Sequence, residues 1–180
     1  MKRLLVFIFI LTLALSLAAC GGSPANDPAN PDNPATTAAG SGGYVPPVKR
    51  TPSITPAAGW EENTQSYHPM WEKETSSIQL SVDVIPLDEA PTPEAYVEFA
   101  QGKLKNSFPE AVFSETKQAK AGGMDALEYT YTITTWGMQL TLRTLYVCRD
   151  YYAYTITCSA MDYGAASADF QRMIDSFTLE

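Results

Sequence analysis

The chain has 180 residues, with 12 Lys and Arg against 20 Asp and Glu, one His and three Cys. A net charge of −8 without a basic cluster excludes direct binding to nucleic-acid phosphates, and leaves basic proteins, cationic ligands and metal ions as admissible partners. A single His offers only one centre for a His-based acid–base pair or nucleophile–His dyad, which argues against hydrolase chemistry.

The amino terminus carries Lys2 and Arg3, an apolar run from Leu4 to Leu15, and small residues before Cys20, the layout of a secretory signal. About a dozen apolar residues cannot cross a hydrocarbon core of roughly 30 Å, so the run is read as a segment removed after Ala19. Leu17-Ala18-Ala19-Cys20, followed by Gly21, Gly22 and Ser23, resembles the bacterial lipobox, whose Cys thiol takes up lipid and becomes the first mature residue. One fourteen-carbon chain binds a membrane only marginally, so durable attachment needs two or three chains, which such a terminus supplies. Cys20 is thus the expected lipidation site and membrane contact, and the extracytoplasmic face of the cell membrane the expected address.

Residues 21–58 are rich in Pro, Ala, Gly, Ser, Thr and Asn and lack the apolar surface to offset their ordering entropy. Residues 20–58 are therefore expected to be a lipidated cysteine and a disordered tether. As a flexible coil, the 38 residues after Cys20 would span roughly 34 Å root-mean-square, and about 118 Å as extended polyproline.

From Gly59 the composition turns aromatic and alternating, and 59–180 has the length of one domain. It holds eight basic against eighteen acidic residues. An opening strand is read around Ser66 to Trp71, interrupted by His68-Pro69. Ile78, Leu80, Val82 and Val84 alternate with polar residues as a second strand. Thr92-Pro93-Glu94 reads as N-cap, first-turn proline and first-turn acid of a helix over 93–107. Val97, Ala100, Leu104 and Phe108 form its apolar stripe, widened by Tyr96 and Phe99. A weaker strand over 111–119 leads to a Gly122-Gly123 turn and a strand carrying Leu127, Tyr129, Tyr131 and Ile133. A two-residue hairpin at Trp136-Gly137 would then set Ile133 against Leu140, Tyr131 against Leu142 and Thr132 against Thr141. The apolar phase slips after Arg143, which predicts a bulge near Arg143-Thr144. Arg149-Asp150 reads as the next turn, before Tyr152, Tyr154, Ile156 and Cys158. A helix over 165–175 closes the chain, with Phe170, Met173, Ile174 and Phe177 on one side.

With that turn, Cys148 and Cys158 stand roughly 23 Å apart at 3.3 Å per residue, beyond the reach of about 7 Å that a disulfide needs. Two free thiols are expected.

This element order resembles the PsbP/DcrB-like superfamily of small extracytoplasmic domains. The residues carrying the resemblance are Gly122-Gly123-Met124-Asp125-Ala126 leading into Leu127-Glu128-Tyr129, the strand Tyr152-Ala153-Tyr154-Thr155-Ile156-Thr157, and Phe170 with Ile174-Asp175-Ser176-Phe177, within residues 59–180. The resemblance implies an α+β three-layer sandwich, with a central antiparallel sheet of about six strands flanked by helices. It also implies a binding or assembly subunit rather than an enzyme. Photosynthetic members assist a manganese centre, but no residue here matches that role.

Ser114-Glu115-Thr116-Lys117 fits the Ser-x-x-Lys pattern of penicillin-recognising enzymes, but strand positions three apart face opposite ways and the companion motifs are missing. Glu61-Glu62, Glu72, Glu74 and Asp88-Glu89 lack the spacing and central glycine of a calcium loop. No metal, cofactor or catalytic residue is therefore assigned. Among the many aromatics, Trp136 and Tyr151 sit at turns with no core to enter, and form the candidate contact surface. The expectation is a lipid-anchored, non-enzymatic envelope module holding an envelope protein or wall-associated ligand. The alternative is a solute-capturing lipoprotein with a pocket between sheet and helix. Oligomeric state is open.

Overall fold

Apolar residues alternate along the strands of this chain, but the stripe does not stay on one side of the sheet, and this decides the architecture. The computed structural model describes residues 48–135 and 137–180. The signal segment, Cys20, most of the expected tether and Trp136 lie outside the described residues. In order come β1 (Pro52–Ser53), β2 (Glu61–Glu62), β3 (Met70–Lys73), β4 (Ser76–Val84), α1 (Pro93–Ser107), β5 (Val112–Phe113), β6 (Lys117–Ala121), β7 (Met124–Thr135), β8 (Met138–Arg149), β9 (Tyr152–Ala160), α2 (Tyr163–Asp175) and β10 (Thr178–Leu179). Eight strands form one sheet in the order β2-β3-β4-β9-β8-β7-β5, with β6 also on β7, while β1 and β10 form a separate ribbon. Every pairing is antiparallel. The fold is α+β, a large antiparallel sheet flanked by helices. Eight strands replace the expected six or so because short β2 joins the edge and the 111–119 segment splits into β5 and β6.

Several local expectations fit the structure. Helix α1 begins at Pro93, with the Thr92 hydroxyl accepting the Ala95 N–H at 3.2 Å. The β7–β8 register pairs Ile133 with Leu140, Tyr131 with Leu142 and Thr132 with Thr141, and closes at Thr135 opposite Met138. Gly122 and Gly123 both take positive φ, as a type I′ hairpin turn requires. Helix α2 starts two residues earlier than expected because Asp162 caps it, and Phe170, Met173, Ile174 and Phe177 are all buried.

Other expectations need correction. No bulge occurs at Arg143-Thr144: β8 pairs without a break from Tyr146 to Met138 on one side and from Arg149 to Thr141 on the other. Instead, Leu142 and Tyr146 share a face with Tyr129 and Tyr131, while Leu145 and Val147 share the opposite face with Ile156 and Tyr154. The stripe changes sides because both faces are covered. On the first, Tyr96 of α1 packs edge-on against Tyr146 at 5.8 Å. On the second, Phe170, Met173 and Ile174 of α2 pack with Ile78, Leu80, Leu145 and Ile156.

The boundary expected at Gly59 also moves. Thr51 exchanges backbone hydrogen bonds with Glu180, the Arg50 N–H donates to the Tyr154 hydroxyl at 2.8 Å, and Ile54 is buried in the core. Residues 48–58 are thus part of the domain, tied down by backbone pairing that composition does not encode. The strand expected around Ser66 to Trp71 begins only at Met70, since Pro69 has no N–H to give a ladder. The β8–β9 turn is Asp150-Tyr151 rather than Arg149-Asp150, because Arg149 still pairs with Tyr152. Cys148 and Cys158 are free thiols, paired with Ala153 and Arg143 at different heights of the same ladder.

Candidate contact surface

Of the two turn aromatics, Trp136 lies outside the described residues and Tyr151 is well placed. Asp150 and Tyr151 take φ of 51° and 68°, a type I′ pair built without glycine, although an L side chain at positive φ costs on the order of 1 kcal/mol or more. Tyr151 is 49% exposed, so burial does not compensate for that strain. Its carbonyl accepts the Ile85 N–H at 2.9 Å, which pins the turn to the end of β4. Asp150 lies between Arg50 at 3.8 Å and Arg149 at 3.6 Å.

One exposed apolar side chain stands at the same corner, and others lie on the segments that lead to it. Val84, paired with Tyr152, is 69% exposed, and Leu87 and Val48 are exposed nearby in sequence to Ile85 and Arg50. The Leu80 N–H donates to the Pro69 carbonyl at 2.9 Å, so the segment ending at Pro69 runs along the β4 edge and carries Tyr67, 88% exposed. Sequence reasoning missed Tyr67 by placing it in a strand; the neighbouring His68-Pro69 break was the available signal.

The remaining candidates resolve into structural roles. Partial burial lowers the pKa of His68, opposed by Asp83 and aided by Lys49, and burial raises that of Asp83, with His68, Lys103 and Lys49 opposing. Glu128 is buried and accepts from Arg143 Nε at 2.8 Å and Nη2 at 2.5 Å, with Lys117 Nζ at 3.0 Å. Ser114 Oγ accepts the Thr130 N–H at 2.9 Å and caps the β7 edge. Ser114 and Lys117 thus serve separate bonds, as a chance Ser-x-x-Lys match would. Burial pushes the Cys148 thiol up to about 11 and that of Cys158 higher still, which disfavours the reactive thiolate. Among the described residues, no three His, Cys, Asp or Glu side chains converge on a possible metal position, and no helix is long and apolar enough to cross a membrane.

The fold can be set beside solved structures. A Pseudomonas aeruginosa protein of unknown function, PA94, described as a putative regulator, aligns with a TM-score of 0.52 at 14% identity over 72% of this chain and 83% of its own. LpqN of Mycobacterium tuberculosis, described as involved in cell envelope biogenesis, aligns with a TM-score of 0.52 at 16% identity over 76% of this chain and 87% of its own. The cyanobacterial PsbP of Synechocystis sp. PCC 6803 gives a TM-score of 0.48 at 11% identity, over 79% of this chain and 99% of its own. At these identities the two likenesses with TM-scores of 0.52 establish fold alone. No family model matches the sequence, and no curated protein matches it.

Proposed function

We propose that the chain is a lipid-anchored, extracytoplasmic binding or assembly module of the cell envelope, of PsbP/DcrB-like type and without enzymatic activity. Attachment would run through lipid on Cys20, and recognition through the corner formed by Tyr151 with Val84, Leu87 and Tyr67, with Trp136 as a second contact turn. The observation that carries the reading is Tyr151: a bulky side chain held half-exposed in a strained conformation, among exposed apolar neighbours, suits recognition better than stability. The likeness in fold to LpqN, an envelope-biogenesis protein by description, and the lipobox-like segment support the same address.

Two experiments test it. Cys20→Ser is expected to release the protein from membranes; unchanged retention would refute the anchor. In affinity capture from envelope extract by the full chain, Tyr151→Ala and Trp136→Ala are each expected to deplete a partner recovered by the wild type. Equal recovery by both variants would refute the contact surface.

A further inference from the structure

The Tyr151 corner is charged as well as apolar. Val84 on β4 stands opposite Tyr152 on β9, which stands opposite Arg149 on β8, so the three side chains form one row on one face of the sheet. Val84 is exposed, Tyr152 half-buried and Arg149 exposed, and Tyr151 belongs to the turn that joins the last two strands. Arg50 reaches this end of the sheet from outside it. Its N–H donates to the hydroxyl of Tyr154, whose ring lies 6.4 Å from that of Tyr152, and its Nε stands 3.8 Å from the Asp150 carboxylate.

The two arginines here are less engaged than the basic side chains elsewhere in the domain. Lys73 and Lys117 each meet a carboxylate at 3.0 Å, and Lys120 and Arg143 do so at 2.5 Å. Arg50 and Arg149 instead share one carboxylate, Asp150, at 3.8 and 3.6 Å, beyond the reach of about 2.9 Å that a charge-assisted hydrogen bond has. Arg50 Nε is shielded from solvent and has no hydrogen-bond partner among the described residues. A guanidinium fork in this state lacks an acceptor, and its planar donors match a carboxylate.

The signs of the surrounding charges choose between kinds of acceptor. Asp150 lies between the two arginines, and Glu180 adjoins Arg50 through the backbone bonds it exchanges with Thr51. Both acids oppose a uniformly anionic surface such as a lipid headgroup layer, which the net charge of −8 also repels at longer range. A protein surface can set carboxylates against the arginines and apolar groups against Val84 and Tyr152, with other groups facing the acids.

We propose that the partner at this corner is a protein segment presenting a carboxylate beside an apolar side chain. The carboxylate engages Arg149 and Arg50, and the apolar group lies against Val84, Tyr152 and Tyr151. This inference rests on the reading of the Tyr151 corner as the contact surface, and adds the chemistry of what meets it.

The test places a photoreactive phenylalanine analogue at position 151 of the full-length chain in intact cells and identifies the cross-linked fragment by mass spectrometry. Backgrounds are otherwise wild type, Arg149→Glu, Arg149→Gln, and Lys105→Glu as a control on α1. The expected adduct is a protein fragment with Asp or Glu within a few residues of the cross-link. Its yield is expected to fall about tenfold in Arg149→Glu, less steeply in Arg149→Gln, and to be unchanged in Lys105→Glu. If Arg149→Glu does not fold, Arg149→Gln decides. A protein adduct of equal yield in all backgrounds, equal loss in Lys105→Glu, or a fragment without acidic residues would overturn the proposal while leaving the contact surface standing. An adduct on lipid would overturn it in favour of the membrane, and no adduct in the wild-type background would remove the contact surface together with this inference.

Discussion

Asp169 illustrates how one side chain joins elements distant in sequence. Its carboxylate accepts from Trp60 Nε1 at 2.9 Å and Lys73 Nζ at 3.0 Å, and also pairs with Arg172. These bonds, led by that from Trp60, hold its pKa well below the usual carboxylate range. A depressed folded-state pKa means the contribution is complete above the unfolded value of about 3.9 and is lost as pH falls below it. Asp169→Asn is therefore expected to lower stability at pH 7 and flatten the decline below about pH 4, as measured by urea unfolding across pH. Glu128 offers a contrast between its two partners. Arg143 is 20% exposed and Lys117 70%. Removing Glu128 leaves the half-buried guanidinium with only Gln171 as a side-chain partner, so Glu128→Ala should cost about 2 kcal/mol, whereas Lys117→Ala should stay within about 0.5 kcal/mol. Tyr151→Gly, which makes an Asp-Gly turn, should stabilise by about 1 kcal/mol while impairing partner capture. Denaturant melts of the three variants check these values.

At the scale of elements, local chemistry was readable wherever the signal was itself local. Thr92-Pro93 marked the start of α1, and the alternation through Tyr129 and Tyr131 set the β7–β8 register. The Asp150-Tyr151 turn was displaced by one residue because neither residue advertises positive φ. Gly122 shows a long-range demand hidden beneath a local one. Its N–H donates to the Ile174 carbonyl at 2.9 Å, and a Cβ there would lie 1.7 Å from the Phe177 carbonyl oxygen. Gly122→Ala is expected to cost more than about 2 kcal/mol, whereas Gly123→Ala, with open space around it, should pay only the φ strain of about 1 kcal/mol. Thermal unfolding of the pair separates the two terms.

Over the whole molecule, the parts least legible in sequence are those made by tertiary contact. The change of apolar stripe along β8 mimics a bulge unless both helices are known to cover opposite faces. Residues 48–58 read as linker because their partners, Tyr154 and Glu180, lie more than a hundred residues away. The Tyr151 corner likewise emerges only when the end of β4, with exposed Val84, is brought beside a turn. The proposal that this corner meets a partner at the membrane is tested most directly by a photoreactive phenylalanine analogue at position 151 of the full-length chain, cross-linked in intact cells. The expected result is a discrete adduct that is absent when the label stands at the exposed, distant Val112, and weakened by Cys20→Ser. No adduct at 151, or the same adduct from both positions, would contradict it.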